Sequence, residues 1–385
     1  MDTYEYPGRG GPPVALLHRI VADNKAVAPQ KYPKLLLFYA KALSAGLMGS
    51  IERLAYRRKL TRYQPKYPPL FVLGHWRSGT SFLQSLIGSA PGYVHYNKFQ
   101  TIFPDSFLLT RHSLKPFINY LFSRSPIARS WKDGLSHNFD SLDTASEIEV
   151  ALINQMQRHS FHWGQVFPKS GTYYFDRYLF MDGISASEFR QWQRSVRHLN
   201  KKVNFTEPES RLVVKNPGDT ARMRYLLELY PDAKFIFIHR EPYDVFYSNI
   251  KLWQRILSNL SVQPVGEGQV RNNIRYIYRR VHENYLADRK LARPGQLAEI
   301  AYEDFRLDPV GTLGSVFEAL QLPGFAENEP YYREYAGGKP FSPATYDYEP
   351  EEIRRLHSEW GPVMQQLGYD RSNRTSTLAG NSRKG

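Results

Sequence analysis

Between the apolar run Leu70-Phe-Val-Leu73 and the stretch Phe82-Leu-Gln-Ser-Leu-Ile87 lies Gly74-His-Trp-Arg-Ser-Gly-Thr-Ser81, whose residue types suit the capture of an anion. The first run predicts a buried strand, and the spacing of Phe82, Leu83, Leu86 and Ile87 predicts a helix. A strand, a glycine-bounded loop and a helix start bring backbone N–H groups together on a phosphate, and the helix dipole favours its charge. Gly74 and Gly79 keep the spacing of an ATP-type P-loop, but Thr80 stands where that loop carries its lysine. Arg77, Ser78, Thr80 and Ser81 supply a cation and three hydroxyls instead. The expected ligand is therefore an anionic nucleotide other than ATP.

A second segment belongs with the first. Phe235-Ile-Phe-Ile238 reads as a strand buried on both faces of a parallel sheet, and Pro242 suits the first turn of a following helix. Arg240 would then sit at the carboxyl end of a strand, where open α/β sheets place their ligands, with Ser248 about two turns into the helix. A guanidinium fork and a hydroxyl can grip a second phosphate. Taken singly, Arg240 reads more readily as a surface partner of Glu241, and Ser248 as an ordinary helix serine.

Read together, Gly74 to Ser81 resembles the 5′-phosphosulfate loop of sulfotransferases that use 3′-phosphoadenosine 5′-phosphosulfate (PAPS) and release 3′-phosphoadenosine 5′-phosphate (PAP). The segment His239-Arg-Glu-Pro-Tyr-Asp-Val-Phe-Tyr-Ser248 resembles their 3′-phosphate motif. The Arg-Ser-Gly-Thr loop is similar to the bacterial-type branch; the cytosolic animal enzymes have lysine in place of the arginine. Leu212-Val-Val-Lys215-Asn-Pro217 resembles the family's central strand and lysine turn, and Ile300-Ala-Tyr302-Glu-Asp-Phe305 its segment near the adenine. The resemblance implies sulfuryl transfer from PAPS to an acceptor hydroxyl, with Arg77, Ser78, Gly79, Thr80, Ser81, Lys215, Arg240, Ser248 and Tyr302 on the donor. No metal is required for that chemistry.

An acceptor alcohol must also lose a proton. Gln100 falls where some relatives carry glutamate, and an amide cannot serve as a base. The acidic stretch farther on offers Glu147 and Glu149, with His137 upstream, and the base is expected among these three, Glu147 first. As acids at a helix start, the two glutamates would also complement its dipole. His159 and His162, at i and i+3, lack a nearby carboxylate set and read as surface or core residues rather than metal ligands.

Positioning these groups calls for an α/β fold, a doubly wound parallel sheet with helices on both faces. Strands are expected at Leu70 to Leu73, Leu212 to Val214, Phe235 to Ile238 and Leu297 to Ala301, and a helix after an N-cap at Asp219. One domain over 1–385 is expected, with flexible ends at 1–13 and 371–385. A largely helical insert over 98–210 would form the acceptor site, its aromatics (Tyr173 to Phe175, Tyr178, Phe180) lining an apolar pocket for a lipid, sterol, glycolipid or carbohydrate alcohol.

The chain has no cysteine, which excludes disulfides and thiolate metal sites and fits a reducing, cytoplasmic location. Its start shows no hydrophobic signal core. The apolar stretch 35–48 is interrupted by Lys41 and reads as an amphipathic helix packed on the core; the alternative is a helix lying on a membrane, with peripheral contact through 34–62. A net charge of +14 suits a polyanionic donor and equally nucleic acid. Two other classes thus stay open, a P-loop kinase and a non-catalytic nucleic-acid-binding protein. The missing lysine opposes the first, and the scatter of basic residues along the chain opposes the second.

Overall fold

The computed structural model describes residues 12–24, 27–124, 141–338 and 345–369. The ends expected to be flexible lie almost wholly outside the described residues, as does His137. Helices α1 (Pro13–Asn24) and α2 (Tyr32–Arg62) precede β1 (Leu70–Leu73), α3 (Thr80–Ile87) and β2 (Tyr93–His95). The described part of 98–210 is helical, with α4 (Lys98–Ile102), α5 (Phe107–Thr110), α6 (Leu114–Arg124), α7 (Ile148–Asn154) and α8 (Ala186–Asn204), and short helical turns between the last two. Then come β3 (Arg211–Lys215), α9 (Met223–Leu229), β4 (Lys234–His239), α10 (Pro242–Leu260), α11 (Glu267–Asp288) and β5 (Leu297–Ala301). Four helices close the described chain: α12 (Tyr302–Leu307), α13 (Pro309–Ala319), α14 (Phe325–Gly337) and α15 (Pro350–Gln366).

The five strands form one parallel sheet in the order β2-β3-β1-β4-β5. β1 lies at the centre, Leu70 opposite Val213 on one side and Lys234 on the other. Its four residues are all buried because both faces of the sheet are covered. Alternate residues serve opposite faces: Leu70, Val72, Ile236 and Ile238 pack with α3 and α13, whereas Phe71, Leu73, Phe235 and Phe237 pack with α10 and α11. The edge strand β2, three residues long, carries too little pattern to be read from sequence.

Two elements depart from expectation. Asp219 does not cap a helix; Pro217–Arg222 is a 3₁₀ turn, and the Asp219 side chain accepts from Asn216 Nδ2 at 2.9 Å and pairs with Arg222. Helix α2 runs 31 residues, well past the apolar stretch, and turns its small residues Ala42 and Gly49 inward while Leu36, Leu43, Leu47 and Leu54 face out. By length and composition it could cross a membrane.

What fastens α2 is a charge pair. Glu52 and Lys202 of α8 form an ion pair, each about 1% exposed. The other Glu52 oxygen accepts the Leu108 and Leu109 N–H groups at 2.8 and 3.2 Å, and Lys202 also donates to the Pro104 carbonyl at 2.6 Å. A buried pair this fully bonded leaves a costly unpaired charge when one partner goes. Lys202→Met should therefore lose about 3–5 kcal/mol in denaturant unfolding. The Glu52→Gln/Lys202→Met double variant should lose clearly less than the sum of the two single changes.

Candidate active site

The loop leaves β1 under a tight constraint. Gly74 has φ +143°, and a Cβ there would lie 2.4 Å from the Ile238 carbonyl oxygen of β4. Its N–H donates to Thr220 Oγ1 at 2.7 Å. Arg77 has φ +74°, a left-handed backbone that costs a side-chain-bearing residue roughly 1–3 kcal/mol and that clusters at binding sites.

That turn sends the Arg77 guanidinium toward α10, where Nε donates to Ser248 Oγ at 2.7 Å. Arg240 Nη1 donates back to the Arg77 carbonyl at 3.3 Å, and Asn249 Nδ2 to the Trp76 carbonyl at 3.0 Å. The two motifs separated in sequence thus hold each other. Arg240 also pairs with Asp244 at 2.9 Å and lies 4.7 Å over the Tyr302 ring, its Nε buried with no hydrogen-bond partner. Tyr302 closes on the loop from the far side: a Cβ on Gly79, itself at φ +94°, would meet its ring at 2.6 Å. Desolvation lowers the Arg77 pKa, and the like charges of Arg240 and Arg255 lower it further. Such a cluster seeks an anion. Thr80 is buried and Ser78 with it, while Ser81 is exposed at the start of α3, whose first N–H groups have no intrahelical carbonyl to bond.

On the other flank, Lys215 ends β3 opposite Val72 and is buried. Its ammonium lies 2.5 Å from Glu147 Oε1. Glu147 occupies the N-cap position of α7 in extended backbone, half-buried, and the preceding residue is tied to the loop helix by Gln84 Nε2 donating to the Ser146 carbonyl at 3.4 Å. Glu149, two residues on, faces elsewhere. It is fully buried, accepts the Phe161 N–H at 3.1 Å and pairs with Arg222 at 3.2 Å. The structure thus separates two carboxylates that the sequence grouped together, and Glu149 is walled off by its partners.

Gln100 is held in a capping box, accepting the Asn97 N–H at 3.0 Å while its own N–H donates to Asn97 Oδ1. His75 turns into the interior, stacked on His282 at 5.7 Å between centroids, and burial together with His282 lowers its pKa to about 3. His159 and His162 are both buried. The aromatics expected to line a pocket belong to the core instead: Tyr174, Phe175, Tyr178 and Phe180 are buried, and only Tyr173 is exposed.

Sequence reasoning missed three contributors. Trp76 meets Phe161 edge-on at 5.7 Å beside the loop. Arg255 adds its charge from α10. The segment 345–369 returns to the second motif: Tyr348 Oη donates to Asp244 at 2.5 Å, and the Glu349 N–H donates to Tyr247 Oη at 2.8 Å. Farther on, the Tyr369 hydroxyl donates to Glu303 at 3.0 Å and meets His239 Nδ1 at 2.9 Å. No local pattern signals contacts between segments so far apart.

The model of the Sulfotransferase family matches residues 68–327, which span the loop, both flanks and the Tyr302 segment. The chain belongs to the sulfotransferase family. It is 27% identical over 363 residues, 93% of its length and 89% of theirs, to the omega-hydroxy-beta-dihydromenaquinone-9 sulfotransferases Stf3 of Mycobacterium bovis and Mycobacterium tuberculosis. Its fold is that of sulfotransferase STF9 from Mycobacterium avium (TM-score 0.70, 18% identity, covering 94% and 92% of the two chains). STF1 from Mycobacterium tuberculosis H37Rv shares it too (TM-score 0.64, 19% identity, 91% of each). The kinase and nucleic-acid readings give way to a sulfotransferase of the bacterial type.

Behind the site of this sulfotransferase, one cation serves two carboxylates. Arg222 pairs with both Glu149 and Asp219, and burial pushes the Asp219 carboxyl up to about 7, with Arg222 opposing the shift. The folded protein then holds a proton that the unfolded chain, near 3.9, has released. Stability from this group therefore falls as pH rises from about 4 to about 7, by up to roughly 1.4 kcal/mol per unit, and levels off above. Urea unfolding at pH 5 and pH 8 should show that fall, and Asp219→Asn should flatten it; an unchanged slope in the variant would assign the proton elsewhere.

Proposed function

We propose that this sulfotransferase moves a sulfuryl group from PAPS to the hydroxyl of a lipid alcohol and releases PAP. The observation that carries the reading is the loop held between two unlike flanks, the cations Arg77 and Arg240 with Ser248 on one and the Lys215–Glu147 pair on the other. The residues fit the donor: Arg240 keeps a buried, unpartnered Nε beside the loop, and the Tyr302 ring that packs on Gly79 would lie near the adenine. Arg240 and Ser248 would hold the 3′-phosphate. The loop from Ser78 to Ser81 and the start of α3 would hold the 5′ side.

When bound, the donor supplies a sulfuryl group whose S–O bond to the 5′-phosphate breaks as the acceptor oxygen bonds to sulfur. Arg77 would balance charge on the leaving phosphate, greatest at the transition state. Glu147 would take the acceptor's proton, with Lys215 positioning the carboxylate and adding a cation beside the loop. A lipid acceptor is supported by the name of the Stf3 relatives, whose own acceptor is a hydroxylated menaquinone. A cytoplasmic location fits the cysteine-free composition and belongs to the same proposal.

PAP should raise the melting temperature of the purified protein, because a ligand selective for the native state stabilises it. Arg240→Ala and Ser248→Ala should each shrink that rise. A rise with ATP and none with PAP would sink the reading.

The base has its own signature. Glu147→Gln should still bind PAP and lose on the order of 10²–10⁴-fold in turnover on an aliphatic alcohol. Nitrophenol acceptors, which arrive ionised, should be largely spared. Full rates on the aliphatic alcohol would remove Glu147 from the chemistry.

A further inference from the structure

Helix α2 is apolar where a protein surface should be polar. Tyr32, Leu36, Leu43, Leu47 and Leu54 recur at spacings of four and seven, which places them on one face of the helix. That face is uncovered among the described residues: Leu36 is 70% exposed, Leu43 68%, Leu47 66% and Leu54 86%. Thirty-one residues make a rod about 46 Å long, far more than the scattered exposed leucine that any surface tolerates. The opposite face is fixed to the body through Ala42, Gly49 and the buried Glu52–Lys202 pair.

Charge decides what covers the stripe. Its C-terminal end runs into Arg57, Arg58, Lys59 and Arg62, all exposed, and Lys31 lies at the other end, while Lys34 and Lys41 turn toward the body. The helix has a single acidic residue, Glu52, and it is buried. A second copy of the chain would set cations against cations, parallel or antiparallel. Spanning a bilayer would tear Glu52 and Lys202 apart. An apolar face bordered by cations alone matches the surface of a membrane carrying anionic lipid.

The stripe is also close to the chemistry. Lys41 of α2 donates to Asn154 Oδ1 at 2.7 Å, and Asn154 is the last residue of α7, whose N-cap is Glu147. Seven residues of helix, about 10 Å, separate the α2 contact from the candidate base.

We infer that α2 is a membrane-docking helix that lies in the interface of an anionic lipid surface and brings a membrane-embedded alcohol within reach of Glu147. The delivery part rests on the lipid-acceptor reading above; the docking part does not. The test is co-sedimentation with phosphatidylcholine vesicles prepared with and without phosphatidylglycerol. The protein should sediment with the anionic vesicles, and less as salt is raised. Leu43→Gln/Leu47→Gln should weaken binding by roughly tenfold or more, and Arg57→Ala or Arg58→Ala by on the order of fivefold each.

These positions are exposed, so melting temperature and the PAP-induced rise should stay at wild-type values in every variant. No sedimentation with anionic vesicles by a protein that still responds to PAP would overturn docking. So would a dimer in solution that the leucine changes dissociate. Vesicle binding without any PAP response would leave docking standing and sink the PAPS reading instead.

Discussion

Everything chemical in this protein depends on how closely the chain crosses from β1 over the end of β4. At Gly74 there is no room for a side chain, because the Ile238 carbonyl already fills the space. That contact fixes where the loop starts, and the parallel sheet does the rest. Its carboxyl ends all face one way, so Lys215 at the end of β3, Arg240 after β4 and Tyr302 after β5 arrive around the same loop. The left-handed backbone of Arg77 is unfavourable by itself. It is offset by the bonds that converge there, from Arg77 to Ser248, from Arg240 to the Arg77 carbonyl and from Asn249 to the Trp76 carbonyl.

The charged groups fall into two kinds, and the difference separates scaffold from site. In the scaffold the buried charges meet an opposite charge: Glu52 and Lys202 bond each other and nearby backbone, and Arg222 pairs with Glu149 beside Asp219. Such sets hold segments in register. Around the loop the balance is tipped the other way. Arg77 bonds a hydroxyl instead of a carboxylate, and the like charges of Arg240 and Arg255 lie close enough to lower its pKa further. The protein holds these cations together at an electrostatic cost that an anionic ligand relieves.

Strands β1, β3 and β4 were legible because a strand covered on both faces must be a short apolar run, and Leu70 to Leu73 and Phe235 to Ile238 are such runs. The loop was legible because glycine is demanded where the backbone turns left-handed or presses on its neighbour. Arg77 breaks that rule, and sequence gives no warning of its backbone. Glu147 and Glu149 could not be told apart in sequence, since which one meets Lys215 depends on a helix start that local pattern places only to within a residue or two. The outward face of α2 was hard to read for a related reason: a leucine-rich stripe looks the same whether it faces the core or points away from it. What settles its direction is the Glu52–Lys202 pair, a contact between residues 150 positions apart.

The latch on the second motif is made last. Tyr348 reaches back 104 residues to Asp244, and Tyr369 reaches back 130 to His239. A chain leaving the ribosome presents its N-terminal part first, so the central strands and the loop emerge well before the phenols that fasten them. During that interval Asp244 lacks the hydroxyl that shares its charge with Arg240. The order of synthesis thus delays completion of the candidate anion site until the last helix has docked.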